Sequence, residues 1–184
     1  MSDTDEQLML AFAQGDAGAF DRLYARHKGT VFRFIARSLP SKADAEEIFQ
    51  EVWMKAIEAR ARYEPRAKFT TWIYAIAHNR LVDLWRRKGL ALVPMDGGDD
   101  GDPAIDPPGD PGDEPFAQVA GQEAMARFAA ALEALPPVQR EAFLLKEEAE
   151  MSIAEIAKAT GANEEAVKSR VRYATAKLRE ALDG

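Results

Sequence analysis

The sequence predicts an all-α protein: two small helical domains joined by a flexible acidic linker. Two observations carry that prediction. Apolar residues recur at spacings of three and four through residues 1–88 and 122–184, with no β-branched alternation to support strands. Between them, residues 89–121 hold seven of the 12 glycines, six of the 10 prolines and eight carboxylates, with no base. Stretches 96–103 and 107–115 offer almost nothing apolar to bury, so a core cannot offset the entropy of ordering them. As a coil the linker averages roughly 30 Å and stretches to about 110 Å. Flanks of 88 and 63 residues are small enough that docking on a larger partner is expected.

In the first flank, helices are expected over 6–14, 17–38, 41–62 (opened by Pro40-Ser41) and 70–88, with Pro65 in the loop before the last. In the second they are expected over 122–135, 137–148, 152–159 and 164–182. The pair Pro136-Pro137 suits a first helical turn, where a missing N–H is harmless.

The composition excludes several classes of function. At 47% hydrophobic and 30% charged, the 184-residue chain is globular in type. With no run of eighteen apolar residues, and an acidic opening instead of a basic one before an apolar core, neither membrane insertion nor a secretory signal is expected, which points to the cytoplasm. The absence of cysteine rules out disulfides, Cys-ligated zinc, iron–sulfur clusters and thiol catalysis. His27 and His78 lie 51 residues apart and form no ligand cluster, so neither a metal nor a cofactor is expected. The five serines (Ser2, Ser38, Ser41, Ser152, Ser169) stand in no nucleophile setting, and no catalytic residue is expected.

The net charge of −7 divides unevenly: +3 over residues 1–88, −8 over 89–121 and −2 over 122–184. Segment 55–88 carries nine bases against three acids, and 166–179 carries five bases and no acid. Two basic patches flank an acidic bridge, a pattern that suits nucleic acid despite the overall sign.

From Ser152 to Val167 the order is short helix, Gly161 turn, Asn163 cap and longer helix, with small Ala157 where the two helices cross. This is a helix-turn-helix pattern. Along its second helix Val167, Val171, Ala174, Leu178 and Leu182 form the core stripe. Lys168, Ser169, Arg172, Tyr173 and Ala176 then face outward, with Arg170, Lys177 and Arg179 at the flanks. Such a helix meets base edges with its first turns and phosphates with its long bases. The plainer alternative, a solvated helix capping a bundle, usually mixes both signs, and no acid falls between Glu165 and Glu180.

In the first flank, the third helix gathers Asp44, Glu47 and Glu51 on one face with Gln50 beside them, while Ala45, Ile48, Phe49, Val52 and Ala56 pack inward. A capping box with Ser41, and the preference of acids for helix N-termini, account for such acidity without any partner. In the fourth helix Phe69, Trp72, Ile73, Ile76 and Leu84 make the core stripe and leave Thr71, Tyr74, His78 and Trp85 on the other side, near Arg80, Arg86, Arg87 and Lys88. These aromatics either stack on bases of a single strand, at roughly 1–3 kcal/mol each, or are covered by another helix.

In this order the motifs resemble the bacterial sigma-70 family, specifically the compact extracytoplasmic-function sigma factors that keep only regions two and four. Asp44-Ala-Glu-Glu-Ile-Phe-Gln-Glu-Val-Trp53 is similar to the family's polymerase-binding helix, and Phe69-Thr-Thr-Trp-Ile-Tyr-Ala-Ile-Ala-His-Asn-Arg80 to its promoter-melting helix. Leu135-Pro-Pro-Val-Gln-Arg-Glu-Ala-Phe143 is similar to the opening of region four, and Val167-Lys-Ser-Arg-Val171 lies where the family reads the upstream element.

The resemblance implies a non-catalytic specificity subunit, with region two at 1–88 and region four at 122–184. Asp44, Glu47, Gln50 and Glu51 would dock on the clamp helices of the largest polymerase subunit. Arg62, Arg66, Lys68, Thr71, Tyr74, His78, Asn79, Arg80, Trp85, Arg86 and Arg87 would open the minus-ten element and hold an extruded base. Glu165, Lys168, Ser169, Arg170, Arg172, Tyr173 and Lys177 would read the minus-thirty-five element. Trp72 belongs to the melting motif but is core by periodicity, and Glu165-Ala166 stands where members often carry small or hydroxyl residues. Implied partners are core RNA polymerase, promoter DNA and an anti-sigma factor, with the chain a monomer when free. The linker would run through the RNA exit channel, and its charge suggests that it shields the basic patches in the free protein.

Two other classes compete. A stand-alone helix-turn-helix regulator needs only the second flank and predicts tight operator binding without polymerase, against which the net charge speaks. A DNA-processing enzyme such as a recombinase needs a nucleophile or a carboxylate metal set that the residues do not offer.

Overall fold

The computed structural model describes residues 2–90 and 121–184. The expectations for the linker, its coil dimensions and its shielding role, fall on 91–120 and lie outside the described residues. Among the described residues are eight α-helices and no strand: α1 (Asp5–Ala13), α2 (Ala17–Ser38), α3 (Lys42–Glu58), α4 (Phe69–Arg87), α5 (Gln122–Ala134), α6 (Pro137–Glu147), α7 (Ile153–Thr160) and α8 (Glu164–Asp183). The expected all-α class is met, and the helix ends agree with periodicity to within a residue or so. The third helix is the exception. It stops at Glu58, and a 3-10 turn over Arg60–Arg62 follows, its entry fixed by Arg60 Nη1 donating to the Ile57 carbonyl at 2.8 Å.

Local caps explain most helix starts. Thr4 and Gln7 form a reciprocal capping box at α1, Asp16 accepts from Ala19 N–H at α2, and Ser152 and Glu155 form a second box at α7. Ser41 Oγ accepts from Asp44 N–H, but the box is half made, because the Asp44 carboxylate turns away to Lys88. Lys68 gives α4 no side-chain cap. Glu6, 63 residues earlier, supplies it by accepting from Phe69 N–H at 2.8 Å. The acidic first turn of α1 thus closes α4, while Asp5 holds His27 (2.8 Å) and Arg26 (3.1 Å) of α2.

In the first half α2, α3 and α4 pack around Leu23, Phe34, Ile35, Ile48, Val52, Phe69, Ile73 and Leu81. In the second, α8 packs on α5, α6 and α7 around Phe143, Leu144, Ile156, Val167, Ala174 and Leu178. The α7–α8 turn bends at Gly161, whose φ of +70° is a left-handed conformation that suits glycine. The halves also pack on each other, α4 against α7 and α2 against α6 and α5.

A buried guanidinium joins the two halves. Arg140 of α6 donates from Nε to Leu132 O (2.9 Å), from Nη2 to Glu133 O (2.8 Å) and Leu135 O (2.9 Å), and from Nη1 to Ser38 O (2.8 Å). Three of these carbonyls end α5 and the fourth ends α2. Burial pushes the Arg140 pKa down, and the nearby Glu133 carboxylate opposes that shift; the negative ends of two helices also favour its charge. Arg140→Met keeps the apolar stem and strands four carbonyls. It is expected to lower unfolding free energy by about 3 kcal/mol, measured by urea denaturation.

Tyr63, after the 3-10 turn, is buried edge-on to Trp72 with ring centroids 5.1 Å apart. Its hydroxyl has no hydrogen-bond partner among the described residues. Burial, helped by Glu6 and Asp5, pushes its pKa up to about 12. The folded state therefore holds this proton more tightly than the unfolded chain, so its contribution is intact below pH ~10 and is lost as pH rises toward 12. Tyr63→Phe is expected to match or exceed the parent's stability at pH 7 and to flatten the fall in melting temperature above pH ~10.

Candidate nucleic-acid and polymerase interfaces

On α8, Asn163 Oδ1 accepts from Ala166 N–H at 2.7 Å and fixes the first turn. Lys168, Ser169, Arg172, Tyr173 and Lys177 are exposed together. Glu165 is also exposed, with Lys168 Nζ 3.5 Å from its carboxylate. Arg170 departs from expectation: it is buried. It lies three residues after Val167 and four before Ala174, inside the stripe that faces the core. The outward face therefore comprises six of the seven expected residues, Glu165 among them.

The acidic face of α3 forms only in part as a set of open carboxylates. Glu47 and Gln50 are exposed, Glu51 is half-buried, and Asp44 is paired with Lys88 from the end of α4. Met54 follows Gln50 and Glu51 at helical spacing and is 56% exposed. Periodicity gave no reason to single it out, because a methionine beside buried Val52 and Trp53 reads as core. Only its position on the helix places it among the acids.

The basic face of the first half is divided. Arg62, Arg66, Lys68, Asn79, Arg86 and Arg87 are exposed, and Arg80 is half-buried beside Asp83 at 2.9 Å. Arg66 pairs with Glu64 at 2.6 Å. Thr71, Tyr74 and Trp85, however, do not stand on an open side: they are 4%, 2% and 1% exposed. The physical reason is that α4 packs against α3 and α7 and also meets Phe34 of α2, so its buried arc exceeds the width of a surface helix. The Tyr74 ring packs edge-on against Phe34 of α2, centroids 5.3 Å apart, and burial raises its pKa. Trp72, expected in the core, is half-buried at the edge of this arc.

On that second side Lys68 Nζ lies 2.9 Å from Glu155 of α7. Their hydrogen bond is the main cause of the raised Lys68 and lowered Glu155 pKa values. His78 Nδ1 donates to Glu141 Oε1 of α6 at 2.6 Å, and the Glu141 side chain is 2% exposed.

Residues 23–90 match the model of sigma-70 region 2, and residues 125–178 that of sigma-70 region 4. The RNA polymerase sigma factor CarQ of Myxococcus xanthus is 31% identical, over 95% of each chain. The sigma factor CnrH of Cupriavidus metallidurans is also 31% identical, over 98% of this chain and 95% of that one. Among solved structures, CnrH in complex with the cytosolic domain of CnrY superposes with a TM-score of 0.70 at 25% identity, covering 98% of both chains. A sigma factor RpoE bound to the anti-sigma factor NepR from Bartonella quintana has the same fold, with a TM-score of 0.67 at 24% identity. With both regions matched in order, on the helices that carry the acidic and basic faces, the chain belongs to the sigma-70 family as an extracytoplasmic-function RNA polymerase sigma factor.

Proposed function

We propose that this sigma factor divides promoter recognition between its halves without chemistry of its own, acting in the cytoplasm as the specificity subunit of RNA polymerase. Residues 1–88 hold the polymerase and the minus-ten element, and residues 122–184 read the minus-thirty-five element. The observation that carries this reading is the open face of α8: Lys168, Ser169, Arg172, Tyr173 and Lys177 exposed together on a capped helix behind a glycine turn. A bare helix with that composition suits base edges and phosphates. Glu47, Gln50, Glu51 and Met54 on α3 form the polymerase-docking face, with Asp44 at its edge. A central apolar side chain ringed by charge is what a specific interface requires. Arg62, Arg66, Asn79, Arg86 and Arg87 lie available to the phosphates of a melted strand. Control by an anti-sigma factor is supported by the likeness to CnrH, whose structure was solved with the cytosolic domain of CnrY.

Transcription of a genomic promoter library with core polymerase tests the function. Specific transcripts are expected only when both proteins are present. Discrete DNA protection by the chain alone, with no transcript, would favour a stand-alone regulator. For the docking face, Met54→Asp is expected to weaken core-polymerase binding by about tenfold while leaving melting temperature within a few degrees.

A further inference from the structure

We propose that Lys88 is a further promoter-binding residue: the free chain holds it on Asp44, and polymerase docking releases it to a phosphate of the melted strand. The inference rests on the readings of α3 and α4 given under the proposed function. Lys88 stands where α4 ends. Leu90 N–H donates to Trp85 O at 3.0 Å and Gly89 N–H to Arg86 O at 3.1 Å, with Gly89 at a φ of +68°. This turn stops the helix and sets Lys88 directly after Arg86 and Arg87, which are exposed and make no ion pair among the described residues. Lys88 is the exception, because its Nζ reaches back to the Asp44 carboxylate in the first turn of α3. Asp44 is the exception on its own face as well: Glu47 and Glu51 make no ion pair among the described residues.

Each charge of this pair therefore belongs to a different face. Asp44 lies one turn from Glu47 on the side of α3 offered to polymerase, and Lys88 extends the row of basic side chains that meets the strand. A cationic side chain of the polymerase that reaches Asp44 displaces Lys88, and a phosphate that takes Lys88 leaves Asp44 free. The first partner to bind breaks the internal pair, and the second finds its charge already released. The result is a positive coupling of equal size in both directions. The two side chains are 46% and 22% exposed, so water screens the pair and the coupling is about threefold. α3 and α4 stay packed on each other throughout, since only the flexible stem of a lysine has to swing.

Lys42 and Glu46, exposed and 3.9 Å apart on another side of α3, serve as charge-matched controls. When dye-labelled chain is titrated with core polymerase, Lys88→Met is expected to bind about threefold more tightly than Lys42→Met, and the gain is expected to vanish when Asp44→Asn is added to both. When a labelled random-sequence single strand of about 12 nucleotides is titrated with the free chain, Asp44→Asn is expected to bind it about threefold more tightly than Glu46→Gln, with a logarithmic salt dependence steeper by about 0.7. Adding Lys88→Met is expected to abolish that gain. These substitutions fall on exposed or half-buried side chains and are expected to keep the melting temperature within a few degrees of the parent's. Equal core affinities for Lys88→Met and Lys42→Met overturn the release by polymerase; the docking face of α3 falls with it only if Asp44→Asn and Met54→Asp also leave core affinity unchanged. Equal strand affinities for Asp44→Asn and Glu46→Gln overturn Lys88 as a strand-binding residue; the strand-facing role of α4 falls with it only if Arg86→Met and Arg87→Met also leave strand affinity unchanged.

Discussion

The structure turns on the burial of α4. A helix packed on one neighbour needs an apolar stripe of little more than a quarter of its circumference, whereas α4 buries Phe69 and Ile73 toward the first half's core together with Thr71, Tyr74 and Trp85. That breadth is what lets the second half dock. α7 lies against the same helix that α3 supports, so one element belongs to the core of its own half and to the contact between halves. On the docking side Lys68 is paired with Glu155 and His78 with Glu141.

Partners that come from far away in sequence close the helix ends. The N-terminus of α4 has no local cap and takes a carboxylate from α1. The C-termini of α5 and α2 share a single guanidinium from α6. In both cases a full charge meets the partial charge of a helix end, which is worth more inside a protein than at a surface. The ion pairs of Glu148 with Arg33 and Arg37 are of the other kind. The arginines are about half exposed, and each pair adds no more than about 1 kcal/mol. The contact between halves therefore combines one deep polar clasp with a rim of weak, replaceable pairs.

Charges of the two signs are sorted onto different helices. Acids and Met54 project from α3, bases project from α8, and between them the arginines at the end of α4 are exposed. One residue serves two purposes on this scheme: Glu155 completes the capping box of α7 and pairs with Lys68 of α4. The start of the helix-turn-helix is thereby tied to the contact with the first half.

The sequence by itself determined the helices, the caps at Ser41 and Asn163 and the core stripes of α3 and α8, because three- and four-residue periodicity and Ser, Thr, Asp or Asn before a helix are local signals. Ile48, Val52, Val167, Ala174 and Leu178 were legible in that way, and so was the outward row of α8. What it could not reveal was how many neighbours a helix has. For Tyr74 and Trp85 the pattern left two readings open, an outward face or a covering helix, because spacing along α4 does not say how many helices surround it. Arg170 read as a flank because its charge outweighed its angular position, yet a long aliphatic stem can lie on a buried stripe. Met54 was not singled out, because local spacing does not mark an apolar side chain as exposed. Partnerships such as Arg140 with Ser38, 102 residues apart, leave no trace in local spacing. They exist only once tertiary packing has brought two helix ends to the same place, since a hydrogen bond is decided by position in space and not by order along the chain.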